Sequence, residues 1–377
     1  MEIYVVKKGD TVDSIADSYG ISVPSIIFNN QLIYPYPLAI GQALLLSTEG
    51  ANAPTYPAFV NGYAYPFIEQ NTLDETLPFL SSLSVFSYGF TTDGELIPPA
   101  LNDAFMIRSA LSAGVRPILT LTPFGADGNF NNFLITSVIN SNEAKNNLLS
   151  ALLATLQEKG FQGVDIDFEY ILPQDRIAFA DFVADVRNFL SPYGYHVSVA
   201  LAPKTSDNQA GLLYEGKDYS LLGQAADSAL LMTYEWGYTY GPPMAVAPIN
   251  QVRQVVDYAV TRIAPSKIDL GIPNYGYDWT LPYIRGNSKA KTISNLEAVQ
   301  LAIDAGVPIQ FDETAMSPFF QYEKDGQLHE VWFEDVRSYK EKFSLLPLYS
   351  LRGMGYWQIM RFFRPNWLLL ESTFVIQ

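Results

Sequence analysis

Eight short runs rich in β-branched and aromatic residues recur between residues 58 and 377, with amphipathic stretches between them. The runs are 60–65, 83–88, 116–122, 163–168, 196–202, 228–234, 267–273 and 353–359. In stretches such as 146–159, 176–190 and 252–263 the apolar residues fall at helical spacing instead. Strands alternating with helices in this way give the pattern of a (β/α)8 barrel. The interval before the last run is long and holds two further strand candidates, 309–311 and 322–332. It predicts a small α+β insertion over roughly residues 282–345. The barrel unit as a whole is expected over 58–377.

The first 48 residues read as a separate unit. Residues 3–6 alternate as a strand, and Lys7-Lys8-Gly9-Asp10 makes a turn. Val12, Ile15, Ala16 and Tyr19 share a helical face that Gly20 ends. Ser22 caps a second helix to about Phe28, Asn29-Asn30 breaks it, and residues 43–46 return as a strand. Residues 49–57 are small, Pro-containing and unpatterned, and are expected to form a linker.

Composition removes most chemistries. With no cysteine there is neither a disulfide framework nor a thiolate nucleophile. Two histidines, His196 and His329, leave no material for a His-rich metal site or a triad. A net charge of -16 repels phosphate backbones and anionic lipid, so nucleic acid and membrane surfaces are excluded as partners. No apolar run approaches the roughly 18 residues of a membrane span. Met1-Glu2-Ile3-Tyr4-Val5-Val6 lacks the basic and apolar pattern of a secretion signal, so the chain is expected to be made in a cytoplasm. The chemistry must come mainly from carboxylates and tyrosines.

The densest constellation is Gly163-Val164-Asp165-Ile166-Asp167-Phe168-Glu169-Tyr170. Alternation along a strand puts Asp165, Asp167 and Glu169 on one face, which in a barrel is the interior. Glu169 would then emerge at the C-terminal mouth, where barrel active sites sit. Crowded, buried carboxylates raise one another's proton affinity, which keeps a glutamic acid protonated near neutrality. A protonated Glu beside an ionised Asp is equipment for glycosidic cleavage. Asp-x-Asp-x-Glu also suits a hard divalent cation, and the spacing alone leaves that reading open.

Gly-Val-Asp-Ile-Asp-Phe-Glu resembles the signature of glycoside hydrolase family 18, the chitinase-like barrels. Gln162 stands where the family's first Asp would be, a position that supports the strand. Met232-Thr233-Tyr234-Glu235-Trp236 resembles the family's Met-x-Tyr-Asp after strand six, with Glu235 in place of Asp. Gly355-Tyr356-Trp357 matches a Trp at the end of strand eight that floors the sugar pocket. The resemblance implies a retaining hydrolase without metal or cofactor, whose nucleophile is the substrate's own N-acetyl group. It assigns Glu169 as acid, Asp167 as the acetamido partner, Asp165 as the group tuning both, and Tyr234 as donor to the acetamido oxygen. Glu235, Trp357, Met232, Trp236 and Tyr63 complete the expected substrate-binding set. Thr120-Leu121-Thr122-Pro123 departs from the Ser-x-Gly-Gly that often ends strand three, which sets the chain apart from ordinary chitinases.

Residues 1–48 are similar to the LysM module, a βααβ unit that binds N-acetylglucosamine polymers. The carriers are Tyr4 to Thr11, Ile15-Ala16, Tyr19-Gly20-Ile21, Asn29-Asn30 and Ile40-Gly41-Gln42. Carried over, the module's sugar contacts fall on Gly9, Asp10, Thr11, Phe28 and Asn29. A LysM module ahead of the barrel, together with the stretch from Tyr234 to Pro243, resembles bacterial spore glycosylases. That implies a monomeric N-acetylglucosaminidase of cortex peptidoglycan, made in the mother cell and deposited in the coat and cortex region. The alternatives are a chitinase acting on chitin oligomers and a non-catalytic, wall-binding spore-coat lectin.

Overall fold

The computed structural model describes residues 1–48, 53–125 and 130–377. Eight parallel strands close a barrel: β1 (Tyr56–Ala64), β2 (Ser82–Phe90), β3 (Arg116–Leu121), β4 (Gly163–Ile166), β5 (His196–Leu201), β6 (Ser228–Leu231), β7 (Ile268–Pro273) and β8 (Gly353–Trp357). Pairing of Asn61 with Ser82 and of Gly353 with Phe59 joins the first strand to both its neighbours and completes the ring. Between β4 and β5, Asp165 lies level with Ser198, which matters for the site below.

The helices follow from their caps as much as from their apolar faces. Helix Asn142–Lys159 starts where the Ser141 side chain accepts from Ala144 N–H, and stops at Gly160 with φ +83°. It and helix Arg176–Leu190 pack Leu148, Leu152, Phe179 and Phe182 onto the strands.

The linker expected over 49–57 differs at its end. Residues 49–52 lie outside the described residues, whereas Tyr56 and Pro57 already belong to β1. The Tyr56 hydroxyl donates to the carbonyls of Leu346 and Leu351, and that anchorage draws the strand two residues upstream.

The insertion is a five-stranded antiparallel sheet in the order Lys291–Ile293, Gly276–Thr280, Gln327–Trp332, Ser317–Lys324, Gln310–Asp312. It begins at Gly276, ahead of the expected residue 282. The helix Val336–Tyr349, inside the expected 282–345, belongs to the barrel's outer ring: Tyr349 hydrogen-bonds Asp257 of helix Ile249–Ala259 at 2.6 Å. The single strand expected over 322–332 is a hairpin. Asp325 and Gly326 at φ +52° and +76° turn the chain between its two arms, the Asp-Gly signature of a tight turn.

The amino-terminal unit folds as read, with strands Glu2–Val5 and Ala43–Leu46 enclosing helices Val12–Tyr19 and Val23–Asn29. It is seated firmly on the rest of the chain. Ile309 N–H donates to Ile40 O at 2.8 Å, Arg337 reaches Gly41 O, and Arg364 N–H donates to the Gln31 side chain at 2.6 Å. Ala39 joins the apolar core of the insertion beside Ile293, Ile309 and Phe320.

Gly41 sits at φ +83°, and a Cβ there would lie 1.9 Å from Ile309 O. Gly41→Ala is therefore expected to cost about 1–2 kcal/mol in backbone conformation alone and to pry the two units apart. Limited proteolysis should then release the first 48 residues from the variant and not from the wild type. Equal resistance of both would show that the contact is dispensable.

Candidate active site

Asp165 points into the barrel from β4 and is 2% exposed. Tyr63 of β1 donates its hydroxyl to one carboxylate oxygen at 2.8 Å, and Ser198 of β5 donates to the other at 2.6 Å. Ser198 is level with Asp165 in the register, Tyr63 reaches it across the barrel, and together they favour its ionised form. Burial works against them and raises its pKa.

Asp167 lies one alternation further on, just past the end of β4, with its backbone N–H bonded to Leu121 O. It is 6% exposed, and its Oδ1 has no hydrogen-bond partner among the described residues. Burial, then the charges of Glu169 and Asp165, push its pKa well above the usual carboxylate range. Glu169 sits at the mouth, partly exposed, and burial raises its pKa too. The arrangement therefore crowds three carboxyls whose proton affinities are all raised, while two hydroxyls draw Asp165 back toward its ionised form. Asp167's bare oxygen is a buried polar atom without a partner among the described residues, a rare feature that points to a ligand donor.

Tyr234 follows β6 and is buried near the same acids. Burial and their charges hold its phenol protonated, so it acts as a donor. Its ring lies against β7 at Gly271, where a Cβ would meet it at 2.8 Å. The next residue, Glu235, has φ +67°, an uncommon conformation for a non-glycine residue. The kink turns its carboxylate toward Tyr275 and Tyr277, whose hydroxyls both donate to Oε1, Tyr277 at 2.8 Å. Burial raises the Glu235 carboxyl and these two hydroxyls oppose the rise.

Trp357 ends β8, and its ring meets Phe86, Tyr63 and Tyr65 at centroid distances of 4.9, 5.9 and 6.0 Å. Met232 packs on the same cluster. The indole keeps one part-exposed face, a platform of the kind that suits an apolar sugar face. Trp236 is held by its backbone N–H to Val246 O. All nine barrel residues expected from sequence thus lie at or just beyond the C-terminal ends of β1, β4, β6 and β8.

Tyr65, Ser198, Lys217, Tyr275 and Tyr277 also face this site and were not foreseen. For the last two, Tyr275-Gly276-Tyr277 is a period-2 pattern that could have placed both hydroxyls on one face.

The expected sugar contacts of the amino-terminal unit separate into two groups. Asp10 is occupied by the Tyr4 hydroxyl and Lys7 N–H, both at 2.7 Å. Thr11 caps the first helix through Ser14. Asn29 is 7% exposed and donates to Ser47 at 2.8 Å. These three side chains also serve the unit's own fold. Gly9 remains on an exposed turn. Phe28 is 60% exposed, and the Arg364 guanidinium lies 4.2 Å from its ring centroid.

Comparison with known proteins matches residues 117–361 to the profile of glycosyl hydrolases family 18, and residues 4–47 to the LysM domain. The cortical fragment-lytic enzyme of Bacillus subtilis (strain 168) is 37% identical over 99% of this chain and 98% of its own length. The crystal structure of the Bacillus cereus spore cortex-lytic enzyme SleL superposes with a TM-score of 0.95 at 33% identity, covering 100% of this chain and 98% of that one. A chitinase from Chromobacterium violaceum ATCC 12472 superposes at 0.77 with 25% identity, covering 84% and 98%.

Proposed function

Because the chain belongs to the glycosyl hydrolases of family 18 and carries a LysM domain, we propose that it hydrolyses spore-cortex peptidoglycan on the reducing side of N-acetylglucosamine, with retention at the anomeric carbon. The observation that carries the reading is the trio of Asp165, Asp167 and Glu169 rising from β4 to the mouth, where burial raises the proton affinity of each and the hydroxyls of Tyr63 and Ser198 favour the ionised form of Asp165 alone.

In this mechanism Glu169 gives its proton to the glycosidic oxygen as the bond to the anomeric carbon breaks. The substrate's acetamido oxygen closes onto that carbon and forms an oxazolinium ion. Asp167, through its unpaired oxygen, accepts the acetamido N–H, and Tyr234 donates to the acetamido oxygen. Glu169, now ionised, takes a proton from water, and the hydroxide opens the ring on the original face. Asp165 supports Asp167 electrostatically from below. Glu235 and Trp236 line the sugar pocket above Met232, and Trp357 carries the ring at the cleaved position.

Relatives described as cortical fragment-lytic and spore cortex-lytic support the substrate and a place in the spore. The LysM module binds the same polymer. The sugar before the cut must carry a 2-acetamido group, so a muramic δ-lactam is excluded there.

Cortex pre-cut by a transglycosylase and incubated with the protein should yield fragments with new reducing N-acetylglucosamine ends by mass spectrometry. New reducing muramic ends would overturn the reading. Release from chitin oligomers alone would move the substrate to chitin, and binding without any cut would leave a lectin.

A further inference from the structure

The loop between β5 and the helix Tyr219–Ala225 drives Lys217 into the barrel interior, where the residue is 0% exposed. Its ammonium has one hydrogen bond among the described residues, to Ala200 O at 3.1 Å. The loop is built to hold it there. Lys204, itself buried, donates to Lys217 O at 2.9 Å and to Asp207 O at 3.2 Å. Tyr219 clamps the same turn by donating to Ala202 O and accepting from Lys204 N–H. Gly216 lets the loop lie against the segment that follows Glu169, since a Cβ there would fall 2.2 Å from Ile171 O.

A buried ammonium costs several kcal/mol unless an opposite charge compensates it, and a single carbonyl is too little. Its carbonyl partner, Ala200, lies two residues along β5 from Ser198, which holds Asp165, and the neighbouring Gly216 packs on Ile171, two residues past Glu169, so the charges that face Lys217 are Asp165, Asp167 and Glu169. We propose that Lys217 is the fixed counter-charge of this acid trio, a positioning residue that sets how many protons the three carboxyls share. With Lys217 charged, a single ionised acid makes the buried cluster neutral, the state a low-dielectric interior favours. The inference rests on the catalytic reading given above.

Other groups around the cluster are the neutral phenols of Tyr63 and Tyr65 from β1 and of Tyr234, the Glu235 carboxyl beyond it, and, on the far side of Asp165, the Asp269 carboxyl, whose charge Arg352 already pairs. On the outer side Lys204 faces Asp207, Asp218 and Arg176. None of these supplies a second buried cation beside the acids.

Removing a positive charge raises the pKa of each carboxyl it faced. The acid limb of the pH profile reports protonation of the last ionised acid, and the alkaline limb reports loss of the Glu169 proton. Both limbs should move to higher pH without the ammonium. Burial brings the Lys217 ammonium down to about 8, so the wild type loses its counter-charge above that pH.

The test is kcat/KM against pH on pre-cut cortex fragments for the wild type, Lys217→Met and Lys217→Arg. Lys217→Met should shift both limbs upward by about one pH unit and lower kcat at pH 6 with little change in KM. Lys217→Arg, which keeps the charge, should hold the acid limb in place. Unmoved limbs in the methionine variant, or an equal shift in the arginine variant, overturn the proposal. So does failure of both to fold, because the ammonium would then serve the loop rather than the acids. A wild type without activity on the fragments would instead defeat the catalytic reading itself.

Discussion

Glu169→Gln is expected to lower kcat by about 10²–10⁴-fold, the range for loss of a positioned general acid, with KM nearly unchanged. The amide keeps the shape of the side chain and can still donate a hydrogen bond, but it cannot transfer a proton to the leaving oxygen. The rest of the site is untouched, since in the proposed mechanism Asp167 meets the sugar through its own oxygen and Tyr234 through its phenol. Stability should hardly change, because Glu169 is part-exposed and its carboxyl makes no hydrogen bond among the described residues. The measurement is the rate of new reducing ends together with a thermal melt. A variant that still cuts within tenfold of the wild-type rate would show that another group delivers the proton.

The largest expected effect on stability lies away from the sugar. Lys342 and Glu334 form a buried ion pair at 2.8 Å where the insertion rejoins the barrel. Glu334 also anchors its backbone N–H on Asn295, and its second oxygen has no partner among the described residues. Lys342→Met leaves that carboxylate buried without compensation, which costs about 3–5 kcal/mol.

The pH dependence has a definite sign. Burial raises the Glu334 pKa even with its lysine present, and losing the lysine raises it further. In the variant, folding therefore favours the protonated form. The deficit should be smallest below the unfolded carboxyl value of about 4.3, grow as pH rises toward the folded value, and level off above it. Urea unfolding at pH 5 and pH 8 checks this, with the larger loss expected at pH 8. A deficit independent of pH would show that removing the lysine leaves the Glu334 pKa where it was. The double change Lys342→Met with Glu334→Gln should recover much of the loss.

The barrel was legible because each strand is a short run rich in β-branched and aromatic residues and the crossovers between them are amphipathic. The acids were legible because a strand's period of two forces Asp165, Asp167 and Glu169 onto one face. Hidden features depend on contacts far apart in sequence. Lys217 is one lysine in a polar loop, and only the fold buries it beneath residues about fifty positions earlier. Tyr275 and Tyr277 gain their role from the left-handed turn at Glu235, which no local propensity announces. The internal bond of Asn29 was hidden for a related reason. An exposed-looking Asn-Asn break between elements is also the place where a side chain can bond back to a neighbouring segment, and here it bonds to Ser47. The start of the insertion at Gly276 was missed because its first strand follows β7 almost without a break.

The seating of the amino-terminal unit on the insertion and barrel has a mechanical consequence. Ile40, Gly41, Gln31 and Phe28 are each held by residues from beyond position 300, so the gripping element and the cutting cleft turn together as one rigid body. A flexibly tethered anchor lets its blade sweep a volume, and the chance of meeting any given bond falls as the tether lengthens. A rigid mount replaces that search with a constant offset. Once a glycan strand is held at one end of the molecule, the bond presented at the other is chosen by geometry, like stock pressed against the fence of a saw.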